Sequence, residues 1–125
     1  MPLVLLADDE PHISAVLERA LLRAGFEVET AEDGEEALEV AIERKPSVII
    51  TDYQMPVLDG VGFVSRLRAT PGLEHTPVVM LTARGHTIAD AALEDLNLHR
   101  LLEKPFSAAD LVRCAQEIVE TQEAA

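Results

Sequence analysis

Val48-Ile49-Ile50-Thr51-Asp52-Tyr53-Gln54-Met55-Pro56 runs from an unbroken apolar stretch into an acid, a short loop and a proline. Valine, isoleucine and threonine are β-branched and favour extended backbone. Residues 48–51 show no polar alternation, which predicts a strand covered on both faces that delivers Asp52 at its carboxyl end. Asp59-Gly60 then starts a helix carried by Val61, Val64 and Leu67, which stops before Pro71-Gly72.

The same pattern recurs on either side. Upstream, Leu3 to Ala7 is a short apolar run ending at Asp8-Asp9. Pro11 opens a helix there, at a position where its missing N–H does no harm. The stripe of that helix is Ile13, Val16, Leu17, Ala20, Leu21 and Ala24, and Gly25 ends it. Phe26, Val28 and Thr30 alternate with Glu27 and Glu29, as in a strand with one wetter face near a sheet edge. Asp33 and Glu36 make a capping-box-like start to a helix with Ala37, Leu38, Ala41 and Ile42 on its apolar side. Downstream, residues 78–81 form a fourth strand ending at Thr82. A weaker helix is predicted over 87–96, and Leu101-Leu102 marks a short strand ending at Lys104. Ser107 caps a last helix with Leu111, Val112, Ala115, Ile118 and Val119 as its stripe.

Five strands alternating with five helices over short connections predict an α/β fold, a doubly wound parallel sheet with helices on both faces. Residues 1–125 read as a single domain, since one chain of 125 residues suits one core and no linker interrupts it. In an open sheet of this kind ligands sit beyond the carboxyl ends of the strands.

Composition narrows the function. The formal charge of −13 makes a surface that repels nucleic acid, so no direct nucleic-acid contact is expected. No apolar run approaches the ~20 residues that span a bilayer, so no membrane partner is expected either. Without an export signal and with one cysteine, Cys114, the chain reads as reduced and cytoplasmic. Cys114 falls on a helical pattern and reads as a small core residue. His12, His75, His86 and His99 have neither ligand-like nor triad spacing and read as solvated.

The strand ends carry the chemistry. Asp8, Asp9, Asp52, Thr82 and Lys104 each follow an apolar run, so the fold brings three carboxylates, a hydroxyl and an ammonium to one rim. Clustered carboxylates repel unless a proton or a cation neutralises them. Mg²⁺ suits an all-oxygen set that leaves room for water and phosphate, and the absence of thiol or multi-histidine ligation argues against zinc. With a cation present, Asp52 is placed to attack phosphorus, while Lys104 and Thr82 contact the transferring oxygens.

Asp8-Asp9-Glu10-Pro11, Thr51-Asp52-Tyr53-Gln54-Met55-Pro56 with Asp59-Gly60, Leu81-Thr82-Ala83, and Lys104-Pro105-Phe106 together resemble the receiver domains of two-component response regulators. The resemblance covers the whole chain, with the motifs in the family's order. It implies a flavodoxin-like sheet of strand order 2-1-3-4-5, as in chemotaxis regulators. It implies Asp52 as phosphoacceptor and Mg²⁺, with Mn²⁺ as a substitute, held by Asp9 directly, by Asp8 partly through water, by Asp52 and by the Gln54 backbone carbonyl. Thr82 and Lys104 would bind the phosphoryl group, with Met55, Arg84 and Pro105 flanking the site and Lys104-Pro105 a cis peptide. The implied partners are a sensor histidine kinase or histidine phosphotransfer protein, an output domain or downstream protein, and a phosphorylation-dependent homodimer. Cognate kinase, stimulus and output stay open, as does whether the chain is a whole regulator or part of a longer one.

Leu101 departs from the pattern. It occupies the position three residues before the lysine where the family commonly carries an aromatic switch, so threonine–aromatic coupling is not expected in its usual form. Asn97 stands where the family has a small turn residue, and asparagine tolerates left-handed backbone. Gln54 and Arg84 occupy variable positions beside the phosphoryl site. Rival readings fare less well. A dehalogenase-like phosphatase needs an acid where Gln54 stands. A dinucleotide-binding domain needs a glycine-rich turn where Asp8-Asp9-Glu10 stands. A phosphorylation-independent interaction module, the main alternative, would have lost an acid or the lysine, and none is lost.

Overall fold

The computed structural model describes residues 2–82, 96–104 and 106–124. In chain order the elements are β1 (Leu3–Ala7), α1 (Pro11–Arg23), β2 (Glu27–Ala31), α2 (Gly34–Arg44), β3 (Val48–Asp52), α3 (Gly60–Arg68), β4 (Val78–Thr82), β5 (Arg100–Glu103) and α4 (Ala108–Ala124). The strands form one parallel sheet of order β2-β1-β3-β4-β5, as the family resemblance implied. β1, β3 and β4, the runs without a polar break, are buried at every position. β2 and β5 are the edges and carry the charges.

Because strand side chains alternate in direction, each central strand feeds two cores. Val4, Leu6, Val48, Ile50, Val79 and Leu81 pack against Leu17 and Leu21 of α1 and Leu111, Cys114, Ala115 and Ile118 of α4. Leu5, Ile49, Val78 and Met80 pack against Ala37 and Ala41 of α2 and Phe63, Val64 and Leu67 of α3. Cys114 is a buried free thiol, and burial raises its pKa.

The local signals landed where expected. Pro11 opens α1, and Asp33 and Asp59 cap α2 and α3 by accepting the Glu36 and Gly62 N–H groups at 2.8 Å each. Ser107 accepts the Asp110 N–H at 3.0 Å. Asn97 is left-handed, at φ +52°.

Three positions correct the apolar patterns. Val16 is 59% exposed and Ile42 49% exposed, although helical spacing placed both on buried stripes. A helix buries only the arc its neighbours cover, and these residues lie at the margin of that arc. Thr30 is exposed because it lies near the end of an edge strand, beside the cleft that Pro11, Ser14 and Glu18 leave open. Four helices stand among the described residues. The helix predicted over 87–96 lies outside them except for Leu96, which is buried.

One side chain ties distant segments together. Arg68, at the end of α3, donates from Nε to Leu96 O at 2.8 Å and from Nη1 to Thr76 O at 2.7 Å and Glu74 O at 3.2 Å. Its Nη2 reaches Asn97 O at 3.2 Å. One guanidinium thus joins the connection entering β4 to the turn entering β5. Hydrogen bonds to a charged donor are worth ~1.5–3 kcal/mol each when the alternative is a bare buried carbonyl, less where water replaces the donor. Replacing Arg68 with methionine is expected to lower the unfolding free energy by about 2 kcal/mol, read from urea denaturation. An unchanged midpoint would mean that water serves these carbonyls equally well.

Candidate functional site

The parallel ladder continues one residue past each strand end and thereby places the polar groups. Asp8 N donates to Ala31 O at 3.0 Å, Tyr53 N to Leu81 O at 2.8 Å, and Lys104 N to Thr82 O at 2.8 Å. Asp8, the Asp52-Tyr53 pair and Lys104 are therefore held by the last backbone bonds of the sheet. Behind Asp52 the first turn of α3 comes so close that a Cβ on Gly60 would lie 2.3 Å from the Asp52 carbonyl oxygen. Only glycine fits there, and the Gly60 N–H uses the space to reach Tyr53 O at 2.9 Å.

Asp8, Asp9 and Asp52 each bring a carboxylate oxygen within 4.8 Å of the others. Lys104 Nζ stands 3.3 Å from Asp52 Oδ1. Asp9, Glu10, Asp52, Tyr53, Gln54 and Lys104 line a cleft of about 320 Å³ above them. Asp8 and Asp52 are buried, Asp9 and Gln54 exposed. One end of the cluster is thus sealed by protein while the other faces water.

Burial raises the pKa of both Asp8 and Asp52. For Asp52 the Lys104 charge and hydrogen bond oppose that rise, while Asp9 adds to it. For Asp8 the Glu10 N–H, donating to Oδ1 at 2.9 Å, works the other way, and the Asp52 charge adds to the rise. Asp8 Oδ2 and Thr82 Oγ1 are buried without a hydrogen-bond partner among the described residues. Buried polar atoms are rarely left so, and an orphan in a native structure points to an absent ligand, ion or water. Oxygen donors only, three converging carboxylates and an unsatisfied carboxylate oxygen fit a hard divalent cation such as Mg²⁺.

The structure brings Asp8, Asp9, Asp52, Gln54, Thr82 and Lys104 to one end of the sheet. Met55 packs instead against the α2–α3 core, and Leu101, 37% exposed on the β5 edge and paired with Met80, does not line the cleft. Arg84, His86 and Pro105, with the implied cis peptide, lie outside the described residues. His12, His75 and His99 are exposed, as read from their spacing. Tyr53 and Glu10 line the cleft without having been singled out. Their adjacency to Asp52 and Asp9 was the available signal.

The family model described as the response regulator receiver domain matches residues 4–116. The transcriptional regulatory protein PrrA of Mycobacterium tuberculosis is 45% identical over 111 residues, covering 89% of this chain and 47% of PrrA. The chain therefore spans about half the length of PrrA and of the other curated mycobacterial relatives it matches. Among solved structures, the chemotaxis response regulator CheY4 of Vibrio cholerae aligns with a TM-score of 0.86 at 36% identity, covering 94% of this chain and 98% of that one. The receiver domain of the sensor histidine kinase PA1611 from Pseudomonas aeruginosa PAO1 has magnesium coordinated in its active site cleft. It aligns with a TM-score of 0.86 at 28% identity, over 95% of this chain and 98% of that one.

The raised carboxyl pKa values give stability a definite pH dependence. Between the unfolded carboxyl range and the raised folded values, the native state holds more protons than the unfolded chain. This contribution is fully present below the unfolded pKa and is lost as pH rises through the folded pKa of Asp8 and Asp52. Replacing Asp8 with asparagine should therefore raise the melting temperature at pH 7 in buffer free of divalent ions. The gain should shrink as pH falls below the carboxyl range. A variant less stable than wild type at pH 7 would show that the Asp8 charge is compensated by some other means.

Proposed function

This chain belongs to the response regulator receiver-domain family of two-component systems, and from that membership we propose that Asp52 accepts a phosphoryl group from a kinase phosphohistidine in a Mg²⁺-dependent reaction. The observation that carries the proposal is the buried Asp52 carboxylate, with Lys104 Nζ at 3.3 Å and the Asp8 and Asp9 carboxylate oxygens within 4.8 Å. In the transfer an Asp52 carboxylate oxygen forms a bond to phosphorus as the P–N bond of phosphohistidine breaks. The departing ring nitrogen keeps the bonding pair and takes up a proton from solvent. Lys104 neutralises charge on the transferring oxygens, and the Thr82 hydroxyl donates to another of them. Asp9, Asp8, Asp52 and the Gln54 carbonyl would hold the cation. When bound, Mg²⁺, or Mn²⁺ in its place, offsets the repulsion between an anionic phosphoryl donor and three carboxylates.

The donor has to bring an imidazole to Asp52, and the surface next to the cleft suits a helical partner. His12, Ile13, Val16 and Leu17 of α1 form, with Lys104, Phe106 and Ala108, a largely apolar hollow of about 410 Å³ that shares Lys104 with the cleft. Exposure of Val16 has a reason on this reading. A sensor histidine kinase or histidine phosphotransfer protein would cover it.

The family is a signalling one, so the chemistry proposed is the domain's own phosphorylation and dephosphorylation, with no turnover of an outside substrate. Residues 1–125 would act as one receiver domain, in the cytoplasm. No helix among the described residues is long and apolar enough to cross a membrane. An output domain or downstream protein and a phosphorylation-dependent homodimer complete the proposed partners. A second reading, an interaction module that signals without phosphorylation, draws on Leu101, which cannot offer the family's usual ring to a partner.

Intact-mass analysis after acetyl phosphate and Mg²⁺ decides between them. Wild type is expected to gain one phosphoryl group and Asp52→Asn none. Lys104→Met should slow the gain by about 100-fold, the usual cost of losing one preorganised charge-stabilising group. A wild-type mass that never changes would leave only the interaction module.

A further inference from the structure

The loop between β3 and α3 contains an unusual turn. Leu58 N donates to Pro56 O at 2.7 Å, closing a three-residue turn with Val57 at its centre, at φ +69°. Positive φ is uncommon for any residue with a side chain and an outlier for a β-branched one. A γ-turn with positive φ at its centre is the rarer and more strained of the two hands. Val57 is 74% exposed, so no packing of its side chain offsets that strain.

Backbone strain persists where the surroundings over-determine it. The flanks here are fixed. Gly60 N bonds to Tyr53 O at 2.9 Å, and Leu58 lies so close to α2 that a Cβ on Gly34 would sit 2.1 Å from the Leu58 carbonyl oxygen. With both ends held, relief of the Val57 strain has to displace residues 54–56. Gln54 in that stretch lines the cleft with Asp9, Asp52 and Lys104. Strain at Val57 and the shape of the cleft mouth are therefore one conformational variable.

We propose that Val57 is a positioning residue for the divalent-cation site, weakening cation binding by making the turned loop that presents Gln54 costly to hold. The inference rests on the metal-dependent reading above. Molecules that release the turn lose the Gln54 contribution, and apparent affinity falls in proportion to the fraction that keeps it. A residue at ease with left-handed backbone would raise that fraction. Glycine does so, and also loosens the loop at large. Asparagine accepts the same backbone and keeps a side chain, so it separates the two effects.

The test is a Mg²⁺ titration of the whole chain and its variants, followed by the emission of Tyr53, the one tyrosine in a chain without tryptophan. Isothermal calorimetry serves as a second readout. Val57→Asn and Val57→Gly are expected to bind Mg²⁺ about threefold tighter than wild type, about 0.7 kcal/mol by the relation of tenfold to 1.4 kcal/mol. Val57→Ile should match wild type or bind more weakly. Unchanged or weaker binding in both the asparagine and glycine variants, beside a normal wild-type curve abolished by Asp52→Asn, would overturn the role of Val57 alone. A wild type without any saturable Mg²⁺ response would overturn the metal-dependent reading, and this inference with it.

Discussion

Asp52 is a carboxylate held inside the protein at the end of the central strand, and the organisation of the site follows from what that burial costs. A desolvated charge is tolerated when a partner sits beside it, and Lys104 supplies one at 3.3 Å from a different strand end. The balance is incomplete, because Asp8 and Asp9 crowd the same space with two more acidic groups. The cluster is left in electrostatic deficit, with one buried oxygen, Asp8 Oδ2, lacking any hydrogen-bond partner among the described residues. A site in that condition takes up positive charge readily, which is the property an anionic donor would require.

The parallel ladder makes the deficit geometric. In a parallel sheet every strand ends at the same rim, so residues some fifty positions apart in sequence meet without any dedicated loop. The backbone bonds from Asp8, Tyr53 and Lys104 to their neighbouring strands extend the sheet by one step at just the positions that carry the polar cluster. Gly60 contributes by omission: its missing side chain lets α3 close against the Asp52 carbonyl. Rigidity behind Asp52 contrasts with the loop in front, where Val57 adopts a backbone that its own side chain opposes.

At the opposite end of the sheet Arg68 has a structural counterpart to that role. It binds carbonyls from the entries to β4 and β5, the strands that carry Thr82 and lead to Lys104. The polar rim and the carbonyl clamp thus act at the two ends of the same strands. Leu101 sits on the last of them, exposed at the edge and paired with Met80.

Much was legible in the sequence because it was local. Unbroken apolar runs become fully buried strands, since a helix-covered sheet leaves no position for water. Asp33, Asp59 and Ser107 cap helices through bonds that span three residues, and Asn97 enters left-handed backbone for reasons internal to asparagine. The acidic pair, the strand-end aspartate, the threonine and the lysine could be assigned to one rim by topology alone. Other features required the tertiary structure. Val16 and Ile42 fit helical stripes but face water, because the covered arc depends on where neighbouring elements end. Adjacent and chemically identical, Asp8 is buried and Asp9 exposed, a difference made by the fold around them and absent from residue type. The Arg68 acceptors are backbone carbonyls, which every residue possesses and no sequence pattern marks. Periodicity records which residues prefer to leave water, whereas the folded chain decides which of them find cover and which charges are left facing one another.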